Sequence, residues 1–299
     1  MTAQSPAARP AGGPAPGDRF HSRVDMVALD VCVTTRSGGA VETLGPQDFL
    51  VLEDGRPQRI TLMVPGDRAS LGVVLLLDRS GSMEGKKLEQ ARAAAGAFAG
   101  VLREDDQLAV LVFNSRVSRL LPLGADHAAV TPALAGLSAY GQTGLYEAVL
   151  VALRDLARAG LDRPSELRRA IVLLSDGEDT NSIVAFDDVL EEVRRAGVLI
   201  YVVSLPAGNG RGGTRHSLLS LAYESGGRVL SVPESEHLPS AFTEIAGELR
   251  HLYRIGYVPD PPKWDGHWHG ISVRTTRSDL RVRARTGYYA PRLTPASVR

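Results

Sequence analysis

Four short apolar runs, separated by helical patterns, leave this chain few folds to choose from. They are Leu71–Leu77, Gln107–Phe113, Arg169–Ser175 and Val198–Ser204. Each is rich in Val, Leu or Ile, is shorter than a typical buried helix and is bounded by turn residues, so each reads as a strand covered on both faces. After the first run a helix starts near Lys86, with Leu88, Ala91, Ala95, Phe98 and Leu102 at the helical period. Leu145–Ala159 and Phe186–Ala196 read as further helices, the latter stopped by Gly197. His216–Ser225 and Leu238–Leu252 also read as helices, and Arg228–Val232 as a short strand. Arg116–Leu123 fits a short edge strand, and Asp126–Leu137 a helix that Asp126 caps. Alternation of buried strands with helices predicts an α/β fold, a doubly wound, mostly parallel sheet over residues 67–249.

The flanks read differently. In 20–66, Val27, Leu29, Val31 and Val33 alternate with more polar positions, the period of a half-buried strand. Residues 48–53 and 58–64 flank Asp54-Gly55-Arg56-Pro57 and predict a hairpin. In 250–291, Tyr253, Ile255 and Tyr257 alternate, and 270–276 and 280–285 predict a second hairpin around Arg277-Ser278-Asp279. Neither segment holds enough strands to stand alone. The expectation is a β-sandwich-like unit formed by both, with the α/β domain inserted between them. Residues 1–19, rich in Pro, Ala and Gly, read as a disordered tail, and 292–299 as another.

Composition narrows the function. Lys+Arg and Asp+Glu are both 34, a formal net charge of zero, which gives no support to nucleic-acid or anionic-membrane binding. No apolar run is long enough to span a bilayer. The N-terminus lacks the apolar block of a secretory signal, so the sequence as it stands predicts a cytoplasmic protein. The single cysteine, Cys32, excludes an internal disulfide and reads as a small buried residue in a strand.

The chemistry gathers at strand tips. Asp78-Arg79-Ser80-Gly81-Ser82 follows the first strand, Gly141-Gln142-Thr143-Gly144 opens a helix, and Ser175-Asp176-Gly177 ends the third strand. In open α/β sheets the carboxyl ends of the strands are where ligands bind. Hard oxygen donors on a tight loop suit a hard cation such as Mg2+. Taken alone, Asp78–Ser82 is equally a turn with a helix cap. Glu84, Glu178 and Asp179 read as rim or loop acids, Asp179 also as a cap for the helix that follows it, rather than as ligands. His267 and His269 alternate across Trp268; such a pair can hold a transition metal, but a surface β-loop is the commoner setting.

Asp78-x-Ser80-x-Ser82, then Thr143 in Gly-Gln-Thr-Gly-Leu-Tyr, then Ser175-Asp176-Gly177 together resemble the metal-ion-dependent adhesion site of the von Willebrand factor type A (VWA) domain. The resemblance covers roughly three fifths of the chain by the span of the α/β pattern. It implies a Rossmann-like VWA fold in which Ser80, Ser82 and Thr143 coordinate Mg2+ directly, with Mn2+ or Ca2+ as substitutes. Asp78 and Asp176 then act directly or through water. It also implies a non-enzymatic adhesion or scaffold module whose protein partner offers an Asp or Glu to the metal. Partner specificity belongs to the loops Met83–Gly85, Ala139–Gln142, Glu178–Ile183 and Pro206–Arg215. In some family members the last helix, here Leu238–Leu252, shifts on binding. Val24–Thr34, Gly45–Phe49, Glu53–Arg56 and Gly287-Tyr-Tyr-Ala resemble a bacterial VWA-related group, which implies export to the periplasm or beyond if the start is truncated. The runner-up is a Mg-dependent hydrolase or phosphatase with Asp78 as nucleophile. That enzyme needs a second acid two residues on, where Ser80 cannot serve near neutral pH. The sequence also lacks a nucleophile elbow, a phosphate-cradling loop and a Cys–His pair.

Overall fold

The computed structural model describes residues 26–66, 69–159, 167–176, 179–206 and 213–292. The tail expected over 1–19, all of the C-terminal tail except Arg292, Glu178 and most of the 206–215 loop lie outside the described residues. The chain opens with β1 (Val27–Thr35), β2 (Phe49–Glu53), β3 (Arg56–Gln58) and β4 (Ile60–Val64). Next come β5 (Ser70–Asp78), α1 (Lys86–Gly100), β6 (Gln107–Phe113), β7 (Val117–Gly124), α2 (Val130–Leu134) and α3 (Leu145–Ala159). They are followed by β8 (Leu167–Ser175), α4 (Phe186–Ala196), β9 (Leu199–Ser204), α5 (Gly213–Ser225), β10 (Val229–Ser231) and α6 (Leu238–Arg250). The chain ends with β11 (Tyr253–Tyr257), β12 (Trp268–Thr275), β13 (Leu280–Arg283) and β14 (Gly287–Tyr289).

The central sheet has the order β10-β9-β8-β5-β6-β7. All its pairings are parallel except that of the edge strand β7 with β6. Successive residues of β5 serve opposite cores, because side chains alternate across a strand. Val73, Leu75 and Leu77 join α1 and α6, where Phe98 meets Phe242 edge-on at 5.9 Å. Val74 and Leu76 join α3, α4 and α5 through Val149, Val189 and Leu221. This two-sided burial is why the strands read as unbroken apolar runs. Gly197 ends α4 in the left-handed conformation, φ +59°, as expected of a helix stop.

The end segments pair with each other. β1 lies between β11 and β13, and β4 extends that sheet beside β11; β12 lies between β2 and β14, with β3 at the edge. All these pairings are antiparallel. The two four-stranded sheets share one core, in which Leu29, Val31 and Ile255 of the first meet Val51, Ile271 and Tyr288 of the second.

Both expected hairpins need correction. β2 does turn back at Asp54-Gly55, where φ is +48° and +80°, the geometry of a tight hairpin turn. Its partner β3 is only three residues long and contains Pro57, which cannot donate to a ladder. The chain then changes sheet, and β4 pairs with β11. Buried Gln58 fixes the crossing, since its amide both donates to and accepts from the backbone of Asp260, at 3.1 and 2.9 Å. Likewise the turn at Arg277-Ser278-Asp279 joins no hairpin: β12 pairs with β2 while β13 pairs with β1 in the other sheet. A reversal between facing sheets carries the same turn residues as one within a sheet. The helix expected over 126–137 is also shorter. Asp126 makes no side-chain cap bond, a 3-10 turn follows it, and α2 spans five residues.

Where the chain passes between the two units, Arg168 on β8 is wholly buried. It donates to the carbonyls of Leu249 (2.8 Å), Leu252 (2.9 Å) and Gly66 (3.3 Å), and to Asp30 on β1. Gly66 is a tight fit there: a Cβ would lie 2.3 Å from the Leu252 carbonyl oxygen. One guanidinium thus satisfies the outgoing and returning segments together.

Candidate metal centre

The site forms at the C-terminal tips of β5 and β8. β5 ends in Asp78, fully buried, and both its carboxylate oxygens are engaged. One accepts the Ser80 backbone N–H at 2.8 Å, an Asx-type turn that bends the chain out of the strand. The other accepts the Ser175 hydroxyl of the neighbouring β8 at 2.7 Å. The turn continues as a single 3-10 turn, Gly81–Met83, which aligns the two serines. Ser80 Oγ and Ser82 Oγ lie 3.0 Å apart, Ser82 Oγ donates to Asp176 Oδ1 at 2.7 Å, and Lys87 Nζ meets Asp176 Oδ2 at 2.6 Å. Asp78, Ser80, Ser82 and Asp176 therefore belong to one connected polar array, buried except at Ser82. Burial pushes the Asp78 carboxyl above its usual range, hydrogen bonds from Ser175 and Ser80 oppose this, and the nearby charge of Asp176 adds to it.

Thr143 reaches the same edge by its backbone. It is buried, and its hydroxyl makes no hydrogen bond to the other four residues among those described. Its loop is laced on one side to the serine turn, where Gly81 N–H donates to Gly141 carbonyl (3.0 Å) and Tyr140 N–H to Arg79 carbonyl (2.9 Å). Gly141 has φ +79°, a conformation that favours glycine. On the other side the Thr143 carbonyl accepts Thr180 N–H (2.9 Å) and Asn181 N–H (3.0 Å), while its own N–H donates to Thr180 Oγ1 (3.0 Å). The three stretches singled out in the sequence thus share one rim.

Some residues have roles the sequence did not disclose. Lys87, in the first turn of α1, also donates to the Pro206 carbonyl at 3.3 Å, so it bridges the site to the β9 loop. Asp179 does not cap the helix that follows it. It accepts Leu145 N–H at 2.8 Å and so caps α3, which precedes it in the chain. Ser182 accepts Tyr146 N–H, and Glu147 accepts Ile183 and Val184 N–H, so the 179–184 loop wraps the start of α3. Arg79 stacks over the ring of Tyr140 at 4.5 Å on the rim.

His267 and His269 do not converge. His267 is exposed, whereas His269 is buried with Nδ1 2.7 Å from Asp54 and Nε2 3.1 Å from Asp265. Glu53, Asp54 and His269 present ligand-type atoms within 4.8 Å of one another. Protein partners already engage the set: Tyr257 donates to Glu53 at 2.7 Å, and Lys263 lies 3.6 Å from Asp54. Cys32 is buried in β1 as expected, with Arg283 donating to its sulfur at 3.2 Å.

A sequence model described as von Willebrand factor type A domain matches residues 72–244, more than half of the chain. The chain belongs to the von Willebrand factor type A domain family. The match spans all the strand-tip residues above. Among curated proteins, "Uncharacterized protein sll0103" of Synechocystis is 34% identical over 130 residues, 42% of this chain and 30% of that protein. Pig inter-alpha-trypsin inhibitor heavy chain H4 is 31% identical over 129 residues, 42% of this chain and 14% of that protein. A UPF0353 protein of Mycolicibacterium paratuberculosis is 28% identical over 243 residues, covering 72% and 69% of the two chains. The chain therefore spans less than a third of the first two relatives. A solved structure, von Willebrand factor type A from Catenulispora acidiphila, aligns with 93% of this chain and 77% of its own at TM-score 0.55 and 14% identity, a likeness of fold. No helix among the described residues is long and apolar enough to cross a membrane.

Proposed function

We propose that this VWA protein is a non-enzymatic binding module that holds Mg2+ through Asp78, Ser80, Ser82, Thr143 and Asp176, and uses it to engage an acidic residue of a protein partner. The observation that carries the reading is the array Ser80–Ser82–Asp176–Lys87, in which Asp176 draws an ammonium group to 2.6 Å. The donor set fits a hard divalent ion, since every candidate ligand is oxygen and the two carboxylates match its charge. A bound Mg2+ supplies a doubly positive centre whose open positions accept water or a carboxylate.

The chain's own residues prepare that site. Ser175 and the Ser80 backbone N–H orient the Asp78 carboxylate from below. The Gly81–Gly141 backbone bond sets the serine turn against the Thr143 loop. Lys87 has a second partner in Pro206, so it can be held aside when Asp176 takes a metal. The hydrolase alternative is not favoured: Asp78 is wholly buried, and the position two residues on is Ser80, which cannot act as a general acid near neutral pH.

The test is a selection of displayed peptides on the immobilised protein, in Mg2+ and in EDTA. The reading expects enriched peptides that share an Asp or Glu and are lost in EDTA. Enrichment that EDTA leaves unchanged contradicts it.

A further inference from the structure

A second site lies away from the strand tips. α4 returns antiparallel to the strands it packs on, so its C-terminal end sits at the opposite edge of the central sheet. There it meets β14 and the connection between β11 and β12, and with the start of β1 they border a half-open cavity of about 600 Å3. That volume falls in the range of roughly 300–1,000 Å3 common to small-molecule sites. Trp264 and Tyr289 line it with aromatic rings, the Tyr289 ring being stacked by the Arg195 guanidinium at 4.1 Å, and prolines line the rest. Among the described residues four cations line the cavity, Arg194, Arg195, Lys263 and Arg285, and no carboxylate does.

Three of the four cations are matched from outside the cavity. Arg194 pairs with Glu224 at 3.2 Å, Arg195 with Glu191 at 2.5 Å, and Lys263 with Asp54 at 3.6 Å. Arg285 is different. Its Nη2 donates to the Ala28 carbonyl at 3.0 Å, its Nε is buried without a partner, and no carboxylate among the described residues lies at ion-pair distance. Burial, with the nearby charge of Arg169, holds its pKa below the usual arginine value against the opposing influence of Tyr257, Asp30 and Tyr288. A half-buried guanidinium with an unspent Nε donor facing a cavity is matched in shape and charge by a carboxylate.

We propose that this cavity binds a small aromatic monocarboxylate, its acid group on Arg285 and its ring against Trp264 and Tyr289. One uncompensated cation specifies one negative charge. The aromatic wall specifies a flat ring, which gains by stacking and burial. The site is independent of the metal reading and shares no residue with it.

The test is calorimetric titration of the full chain, in EDTA, with benzoate, indole-3-acetate and 2-naphthoate, and with indole-3-acetamide as the uncharged control. At least one acid binds one-to-one, indole-3-acetamide binds about tenfold or more weakly than indole-3-acetate, and Trp264→Ala weakens the acid by about tenfold. Arg285→Gln does the same; if that variant does not fold, Trp264→Ala carries the test, since its ring is half-exposed. The proposal is overturned if none of the three acids binds at about 5 mM. It is equally overturned if acid and amide bind alike, or if Trp264→Ala binds as tightly as the wild type.

Discussion

Arg168 of β8 donates its Nε to Asp30 of β1 across 3.1 Å, a buried ion pair that links the central sheet to the flanking two-sheet unit. Arg254 of β11 reaches the same carboxylate at 3.2 Å. Burial would raise the Asp30 pKa, but the two guanidinium groups outweigh it and hold the carboxyl below its usual range. Removing Arg168 also strands the carbonyls of Leu249, Leu252 and Gly66. Arg168→Met is therefore expected to cost about 3–5 kcal/mol, the scale of a broken buried pair. Urea denaturation measures it; a loss below about 1 kcal/mol would show that the junction is not held this way.

His269 makes stability depend on pH. Burial lowers its pKa, but hydrogen bonds and charges from Asp54 and Asp265 prevail and leave it raised. A raised folded-state value means that the protonated ring stabilises the fold. That contribution is complete below the unfolded value of about 6.5 and is lost as pH climbs through the folded value. Denaturation midpoints should thus fall as pH rises above about 6.5 in the wild type and stay flatter in His269→Gln. A variant whose slope equals that of the wild type would remove His269 as the cause.

Lys87 neutralises Asp176 in this structure. If the same carboxylate serves a metal, the ammonium competes with it. Lys87→Met should tighten Mg2+ binding by about tenfold, or ~1.4 kcal/mol. Calorimetry on the variant reads this directly, and weaker binding would mean that Lys87 supports the site rather than opposing it.

Ile183 is 96% exposed on the loop that wraps α3 beside the Thr143 rim. An isoleucine so placed contributes little to folding. Ile183→Ser should leave stability within about 0.5 kcal/mol. On the proposed partner-binding face, the same change should weaken Mg2+-dependent peptide capture by about tenfold. Unchanged capture would place the partner elsewhere on the rim.

The strands covered on both faces were the most legible parts of the chain. Gln107–Phe113 has the bounds read from its sequence, and β5 extends only one residue beyond Leu71–Leu77 at each end, because complete burial leaves an unbroken apolar run. Turn residues located β4 and β13 as strands but not their partners, since a turn reports a reversal of the chain and not a neighbour. The strand-tip residues were legible because turn, hydroxyl and carboxylate follow one another along the chain. Lys87, Ser175 and the true role of Asp179 were not. Each acts across 34 to 97 residues of sequence, through contacts that only packing creates.

The most direct test of the metal centre is calorimetric titration of Mg2+ into the wild type, Asp78→Ala and Ser82→Ala, with circular dichroism to confirm that each variant is folded. Ser82 is exposed, so its variant isolates ligation from folding. The account predicts one saturable site in the wild type, weakened by about 100-fold or more in Asp78→Ala and by about tenfold in Ser82→Ala. Binding of equal strength in all three proteins, or no binding in the wild type, would contradict it.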